Sequence, residues 1–370
     1  MSTATIQFCG AGGTAIAAQQ AGMQVEAAIN HSKVAIASHV ANHPATLHYC
    51  QSMEECNPDD LPDSNFLLTS PCCTNHSIAK GQKHYHQFDL FGDIVYNPIA
   101  EKSRNTMNDV VRFVAAKKCT GKPYTFVVVE NVIDVVKWCQ YSTWLAALMA
   151  LGYNHQTLYW NTRFFEVPQS RDRVYLLFWL RDVPTPDLEY CPLAWCAGCE
   201  REVTTQQSWK QQKWGRYQQQ YVYCCSWCAK EVTPYSSSVR SVLNIETSGR
   251  TVGERKLSEN TRVNIREGIH RMGGEPFLLG YYKHPLYRRL DEPVGTITTL
   301  DRWALVTPDT SGTFEACRLR MLSVQEVKAC MGFPDDYHLC GTAKEQVWML
   351  GNAVCPPLMT NLLSRCIAVL

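Results

Sequence analysis

Three short stretches of this chain carry side chains suited to attack on an electron-poor carbon. Ser70-Pro71-Cys72-Cys73-Thr74-Asn75-His76-Ser77 offers two adjacent thiols after an apolar run. Glu130-Asn131-Val132 closes the very apolar run 126–129 with a carboxyl group, and Gln169-Ser170-Arg171-Asp172-Arg173 places two guanidiniums just ahead of another apolar run. A thiolate is a nucleophile, a carboxyl can move a proton, and a guanidinium can hold an oxygen. Each has a plainer reading alone, since a single cysteine packs as a small hydrophobe and a strand-end glutamate simply pairs an arginine. All three stretches fall at strand ends on one expected sheet edge, where open α/β proteins place their sites. That convergence favours chemistry.

Two further patterns suit binding. Phe8-Cys9-Gly10-Ala11-Gly12-Gly13 lies where a first strand should turn into a helix, and glycines there let backbone amides approach a ligand at the helix N-terminus. Such a turn is also common with no ligand. Cys196-Ala197-Gly198-Cys199 and Cys225-Ser226-Trp227-Cys228 are CxxC knuckles with 25 residues between them, the spacing of a tetrahedral thiolate cage for structural zinc. Cys191 and Cys224 stand beside them as spares. Between the knuckles, Trp209, Lys210, Lys213, Trp214, Arg216, Tyr217, Tyr221 and Tyr223 mix rings with cations. Some of these rings are expected to build a small core while the cations face phosphates.

The elements that must position these groups alternate between short apolar runs and helical periodicity, the pattern of an open parallel sheet covered by helices. Strands are expected at 25–29, 47–50, 65–69, 124–129 and 174–179, and helices at 31–41, 107–118 and 135–151. From Pro184 the character changes to Gln, Trp, Tyr, Cys and Arg, with Pro186 and Pro192 marking the boundary, and apolar patterns return after Pro293. Ser323 with Glu326 forms a capping-box pair, and Gly332 with Pro334 stops the helix that it opens. The expected domains are therefore 1–183 and 294–370, interrupted by an irregular insertion, 184–293.

With 370 residues, 45% hydrophobic and 19% charged, the chain can build one large core and a second lobe. Its net charge of +1 hides an asymmetry: residues 200–290 hold 15 Lys+Arg against 8 Asp+Glu, which suits a polyanion as well as a solvated face. Eighteen cysteines dispersed through so long a chain fit a reducing cytoplasm better than a disulfide framework. Met1 to Gly10 has no basic or leader-like stretch, and no apolar run reaches the roughly 18 residues of a membrane span. A cytoplasmic protein with no membrane partner is the expectation.

Taken together and in order, these motifs resemble those of the C5-cytosine DNA methyltransferases, phage and prokaryotic type. Phe8 to Gly13 is similar to the cofactor loop and the segment from Pro71 to Ser77 to the nucleophile loop. Ser103-Arg104-Asn105-Thr106, Glu130-Asn131-Val132 and Gln169 to Arg173 follow, then Arg320-Met321-Leu322 with Glu326, Met331-Gly332-Phe333-Pro334 and Leu350-Gly351-Asn352-Ala353-Val354. The resemblance implies a Rossmann-like α/β sheet that binds S-adenosylmethionine, with 184–293 as a zinc-containing target-recognition domain, acting as a monomer on double-stranded DNA. It also implies the roles. Carbon 5 of cytosine is a poor nucleophile until a thiolate adds at carbon 6, and the base must first be flipped out of the duplex. Cys73 is the nucleophile on the position of Ser77, with Cys72 the alternative because Pro71 directly precedes it. Glu130 serves ring nitrogen 3, Arg173 holds O2, and Arg171 and Asn131 orient their neighbours.

The implied cofactor residues are Phe8, Gly10, Gly12, Gly13, Asn30, His31, Ser52, Asn352 and Ala353. Here the chain departs from the family: Ile6 stands where an Asp is common, Asn30 replaces the acid expected at the ribose, and the region 50–52 has none for the adenine amino group. Asn and Ser still hydrogen-bond both. Two other readings stay open, a catalytically silent DNA-binding scaffold and a C5-transferase using a modified donor.

Overall fold

Short apolar stretches with β-branched and aromatic residues form the strands, and several of the helices start at capping side chains, as Lys33–Asn42 does at Ser32. The computed structural model describes residues 1–71, 98–211, 213–245 and 249–370, with 98–105 described by backbone alone. Cys72, Cys73 and Ser77 therefore lie outside the described residues. The first half runs β1 (Thr3–Gln7), α1 (Gly13–Gln20), β2 (Gln24–Ile29), α2 (Lys33–Asn42), β3 (Leu47–Tyr49), β4 (Phe66–Thr69), α3 (Pro98–Cys119), β5 (Phe126–Asn131), α4 (Tyr141–Ala150), β6 (Tyr153–Asn161) and β7 (Asp172–Leu180). They form one sheet in the order β3-β2-β1-β4-β5-β7-β6. The first five strands are parallel, and β7 enters antiparallel between β5 and β6.

The central parallel strands β1, β4 and β5 are buried on both faces, and β4 and β5 are apolar nearly throughout. Phe66 and Phe126 stack across them with ring centroids 4.9 Å apart. Helix α8 (Pro356–Ile367) returns to pack on α1, burying Leu358, Met359, Leu362 and Leu363 in the same core. The helix expected at 135–151 is broken: a 3₁₀ turn, Ile133–Lys137, is followed by α4 at Tyr141. The turn buries Ile133 and Val135 while its Asp134 is tied to Lys137 and Arg216.

Residues 193–321 are made largely of short antiparallel strands. β8 (Leu193–Cys196), β9 (Arg201–Trp209), β10 (Tyr221–Cys225) and β11 (Glu231–Val232) form a four-stranded sheet in the order β11-β10-β9-β8. A five-stranded sheet follows, built from β12 (Arg250–Thr251), β13 (Phe277–Gly280), β14 (Leu286–Arg289), β15 (Trp303–Thr307) and β16 (Arg318–Met321) in the order β12-β16-β15-β13-β14, with α5 (Glu259–Arg271) against it. Residue 293 falls inside this sheet, between β14 and β15. Helices α6 (Val324–Cys330) and α7 (Ala343–Asn352) each open with a capping box, α6 at Ser323 and Glu326 as its spacing predicts. No helix among the described residues is long and apolar enough to cross a membrane.

Candidate active site

The carboxyl ends of β1 to β5 and the start of antiparallel β7 lie along one edge of the seven-stranded sheet, so the topology gathers residues that are far apart in sequence. Glu130 ends β5 and Arg173 starts β7. Arg173 Nε donates to Glu130 Oε1 at 2.9 Å, with the side chains 12% and 9% exposed. A charge pair so shielded keeps its geometry. Asn131, fully buried, accepts from Val132 N at 2.8 Å and donates to the carbonyl of Pro71 at 3.2 Å. That bond fixes the backbone immediately before Cys72.

Arg171 is buried and donates to the carbonyls of Ile297 and Gly351 at 2.7 and 2.9 Å, joining the β7 entry to two C-terminal segments. Gln169 does the same: its Oε1 accepts from Ile297 N at 3.0 Å and its Nε2 donates to Cys330 O at 3.3 Å. Cys355, beside Arg171 and Glu130, also carries a thiol, but burial pushes it up to about 12 and leaves it unsuited to attack.

The expected cofactor residues sit at the ends of β1, β2 and β3. Phe8 (φ 56°), Gly10 (φ 53°) and Gly12 (φ 95°) take the left-handed backbone of a tight loop, unusual for the phenylalanine. A Cβ on Gly12 would collide with the Tyr337 hydroxyl and one on Gly13 with the Val354 carbonyl, so both glycines serve packing, whereas Gly10 faces open space apart from Phe8 O at 3.7 Å. Asn30 directly follows β2 and its Oδ1 accepts from Ser32 N at 2.9 Å, leaving its NH₂ as donor; His31 is exposed. Ser52, past β3, donates to Glu55 Oε2 at 2.8 Å. Glu55 is a carboxylate at this strand end that the family pattern does not point to, although its Ser-x-x-Glu spacing is legible. Exposed Asn352 ends α7, and buried Ala353 leads to the Val354 carbonyl against Gly13.

These residues suit a nucleoside-like ligand. The loop at Gly10 gives close backbone approach, and Asn30, Ser52 and Glu55 supply neutral and acidic hydrogen-bonding groups. Gln7 and Thr69, paired across the ends of β1 and β4, are buried with the Gln7 amide atoms and Thr69 Oγ1 lacking partners among the described residues. Both are polar residues ending apolar strands, which is the signal that could have marked them.

Among the described residues, bonds from β9 and from the β9–β10 connection tie the four-stranded sheet to the seven-stranded one. Arg216 pairs with Asp134, Tyr217 N donates to Asp172 Oδ1 at 3.0 Å, and Gln207 Nε2 donates to Tyr159 O at 2.8 Å. Burial alone would raise the Asp134 carboxyl, but bonds from Lys137 and Arg216 outweigh it and hold it below its ordinary value. At the far end of the sheet, the sulfurs of Cys196, Cys199, Cys225 and Cys228 lie within 4.8 Å of one another. Cys196 Sγ is 3.5 Å from Cys228 Sγ, and Cys199 Sγ is 3.8 Å from Cys225 Sγ. Four thiolates about 2.3 Å from a tetrahedral zinc would stand about 3.8 Å apart, so the cage can hold that ion.

Comparison with known proteins agrees with this geometry. The family model for C-5 cytosine-specific DNA methylase matches residues 7–368. An Arabidopsis thaliana protein, CMT1, named as a DNA (cytosine-5)-methyltransferase, is 39% identical over 83 residues, 22% of this chain and 10% of that protein. The match thus spans about a tenth of that relative's length. Among solved structures, the S. pombe Dnmt2 methyltransferase superposes with a TM-score of 0.61 at 16% identity, covering 98% of this chain and 97% of that one. The Entamoeba histolytica methyltransferase EhMeth gives 0.56 at 12% identity, covering 100% and 98%. These two show a shared fold.

Proposed function

The chain belongs to the C-5 cytosine-specific DNA methylase family, and from that premise we propose that it methylates carbon 5 of a cytosine flipped out of double-stranded DNA. S-adenosylmethionine, when bound, supplies an electrophilic methyl group. Gly10, Asn30, His31 and Ser52, with Phe8, Asn352 and Ala353, would hold it at the ends of β1 to β3, and Gly12 and Gly13 would let the loop close. The Cys73 thiolate adds to carbon 6 of the base, which places electron density on carbon 5; once carbon 5 is methylated and has lost its proton, the thiolate leaves again. Cys72 is the other candidate for that thiolate. Glu130 bonds ring nitrogen 3 and carries its proton during addition, while Arg173 orients Glu130 and holds the base O2. Asn131 and Arg171 act by positioning the backbone on either side.

The single observation that carries this reading is the shielded Glu130–Arg173 pair beside the Pro71 carbonyl. Residues 184–293 are the recognition lobe in this proposal, stapled by zinc at its four cysteines, and the enzyme works as a cytoplasmic monomer. Bisulfite sequencing of plasmid from cells that express it tests activity and sequence preference together: protected cytosines in a fixed context are expected, and uniform conversion would refute the proposal. A donor other than unmodified S-adenosylmethionine is the second reading, favoured by Asn30 where a carboxylate would grip the ribose.

A further inference from the structure

Beyond the catalytic edge, a cleft of about 920 Å³ opens between β6, α4 and β9, within the size range of small-ligand sites. Tyr141, Tyr159, Trp209 and Trp214 supply ring faces on its walls. Trp214 lies nearly parallel to Tyr159, ring centroids 6.2 Å apart and planes 13° apart, meets Trp209 in a T-shaped contact at 4.6 Å, and is itself 61% exposed, so much of its ring surface is open to receive another ring. Lys210 and Lys213 flank it in the chain, both exposed.

Strand β6 is the last of its sheet, paired with β7 alone. The Thr162 N to Arg171 O bond shows that even-numbered residues here turn their backbone groups to β7, and the Gln207 bond to Tyr159 O shows that odd-numbered ones turn theirs away. Thr157 therefore presents its N–H and C=O to the cleft side by side, and among the described residues neither has a backbone partner on that side. A donor beside an acceptor matches the hydrogen-bonding edge of a nucleobase. Strand addition by a peptide needs a longer open edge, and here Tyr159 O is already taken. Thr157 lies three residues, about 10 Å of strand, from Trp160, which faces Arg173. A nucleotide near the target on the same nucleic acid can reach it.

We propose that this cleft binds an unpaired nucleobase of the nucleic-acid substrate, stacked on Trp214 and held at its edge by the Thr157 backbone. The test uses a duplex with a single bulged 2-aminopurine and a fully paired duplex of the same sequence, with binding and fluorescence read on the full chain. Wild type quenches the bulged probe. Trp214→Ala, a change at an exposed ring, weakens binding of that probe about tenfold and of the paired duplex less than twofold. Thr157→Pro removes the outward N–H at an edge position that tolerates proline, and gives the same selective loss. Equal binding of the bulged probe by wild type and Trp214→Ala, or displacement of the probe by a short extended peptide, overturns the proposal. Covalent trapping at the catalytic edge on the same preparations reports on methyl transfer separately, so either reading can fail alone.

Discussion

Acidification from pH 7 to 5 should destabilise this protein through histidines packed behind the glycine loop that follows β1. His39 is fully buried and shares a 2.8 Å hydrogen bond between its Nδ1 and His48 Nε2, while His43 Nε2 meets Tyr337 Oη at 3.1 Å, the hydroxyl that abuts Gly12. Burial first, and His48 second, push His43 down from 6.5 to about 4. Because the folded value lies below the unfolded one, the unfolded chain takes up a proton as pH falls through 6.5 and the folded chain does not until about 4. Stability is therefore complete above pH 6.5, is lost between 6.5 and 4, and levels off below. At pH 5 the loss from His43 is about 2 kcal/mol, from 1.5 units at about 1.4 kcal/mol each, and His39 adds loss of the same sign. Urea unfolding at both pH values, on wild type and on His43→Gln, isolates the effect, since glutamine can bond Tyr337 but does not titrate. The variant should lose about 2 kcal/mol less than wild type between the two pH values. Equal losses would refute the argument.

Glu130→Gln keeps an acceptor for Arg173, so folding should suffer by only about 1 kcal/mol, but the amide cannot supply a proton and single-turnover methyl transfer should fall about a hundredfold or more; an unchanged rate would remove Glu130 from the chemistry. Metal analysis of protein prepared without chelators should find one zinc per chain, and chelation should loosen the four-stranded sheet before the seven-stranded one. A metal-free, fully structured protein would end that assignment. Asn30→Asp preserves the acceptor for Ser32 N and should tighten S-adenosylmethionine by about 1 kcal/mol in calorimetric titration, as a neutral hydrogen bond to the ribose becomes charged. Weaker binding would move the ribose away from Asn30.

Much of the seven-stranded sheet is legible because its inner strands are largely apolar on both faces: 25–29 and 65–69, in parallel β2 and β4, and 174–179, in antiparallel β7, each coincide with a strand within a residue or two. β6 is not, since Asn154, His155, Gln156 and Thr157 carry no apolar alternation and, after Tyr153, the strand regains burial only at Leu158 to Asn161. The five-stranded sheet is hidden for another reason. Its antiparallel pairs join residues on both sides of 293, such as Leu278 with Leu305, and no local pattern announces a partner so distant. At the site, the convergence of Glu130 with the arginines of 169–173 on one edge is legible from their strand-end positions, whereas the choice of Arg173 as its partner and the carbonyls that Arg171 and Asn131 hold could be known only from the fold. Glu55 shows the limit of matching motifs, for it reaches the end of β3 through a local cap to Ser52 rather than by standing in the family's position.

Incubating the protein with S-adenosylmethionine and duplex DNA in which 5-fluorocytosine replaces the target cytosine tests the central claim most directly, because fluorine at carbon 5 cannot leave as a proton and the thiolate adduct persists. The expected product is a covalent protein–DNA complex whose mapped peptide carries the adduct on Cys73, and which disappears in Cys73→Ala but not in Cys72→Ala. An adduct on Cys72 would contradict the choice of nucleophile, and no adduct with either cysteine present would contradict methyl transfer itself.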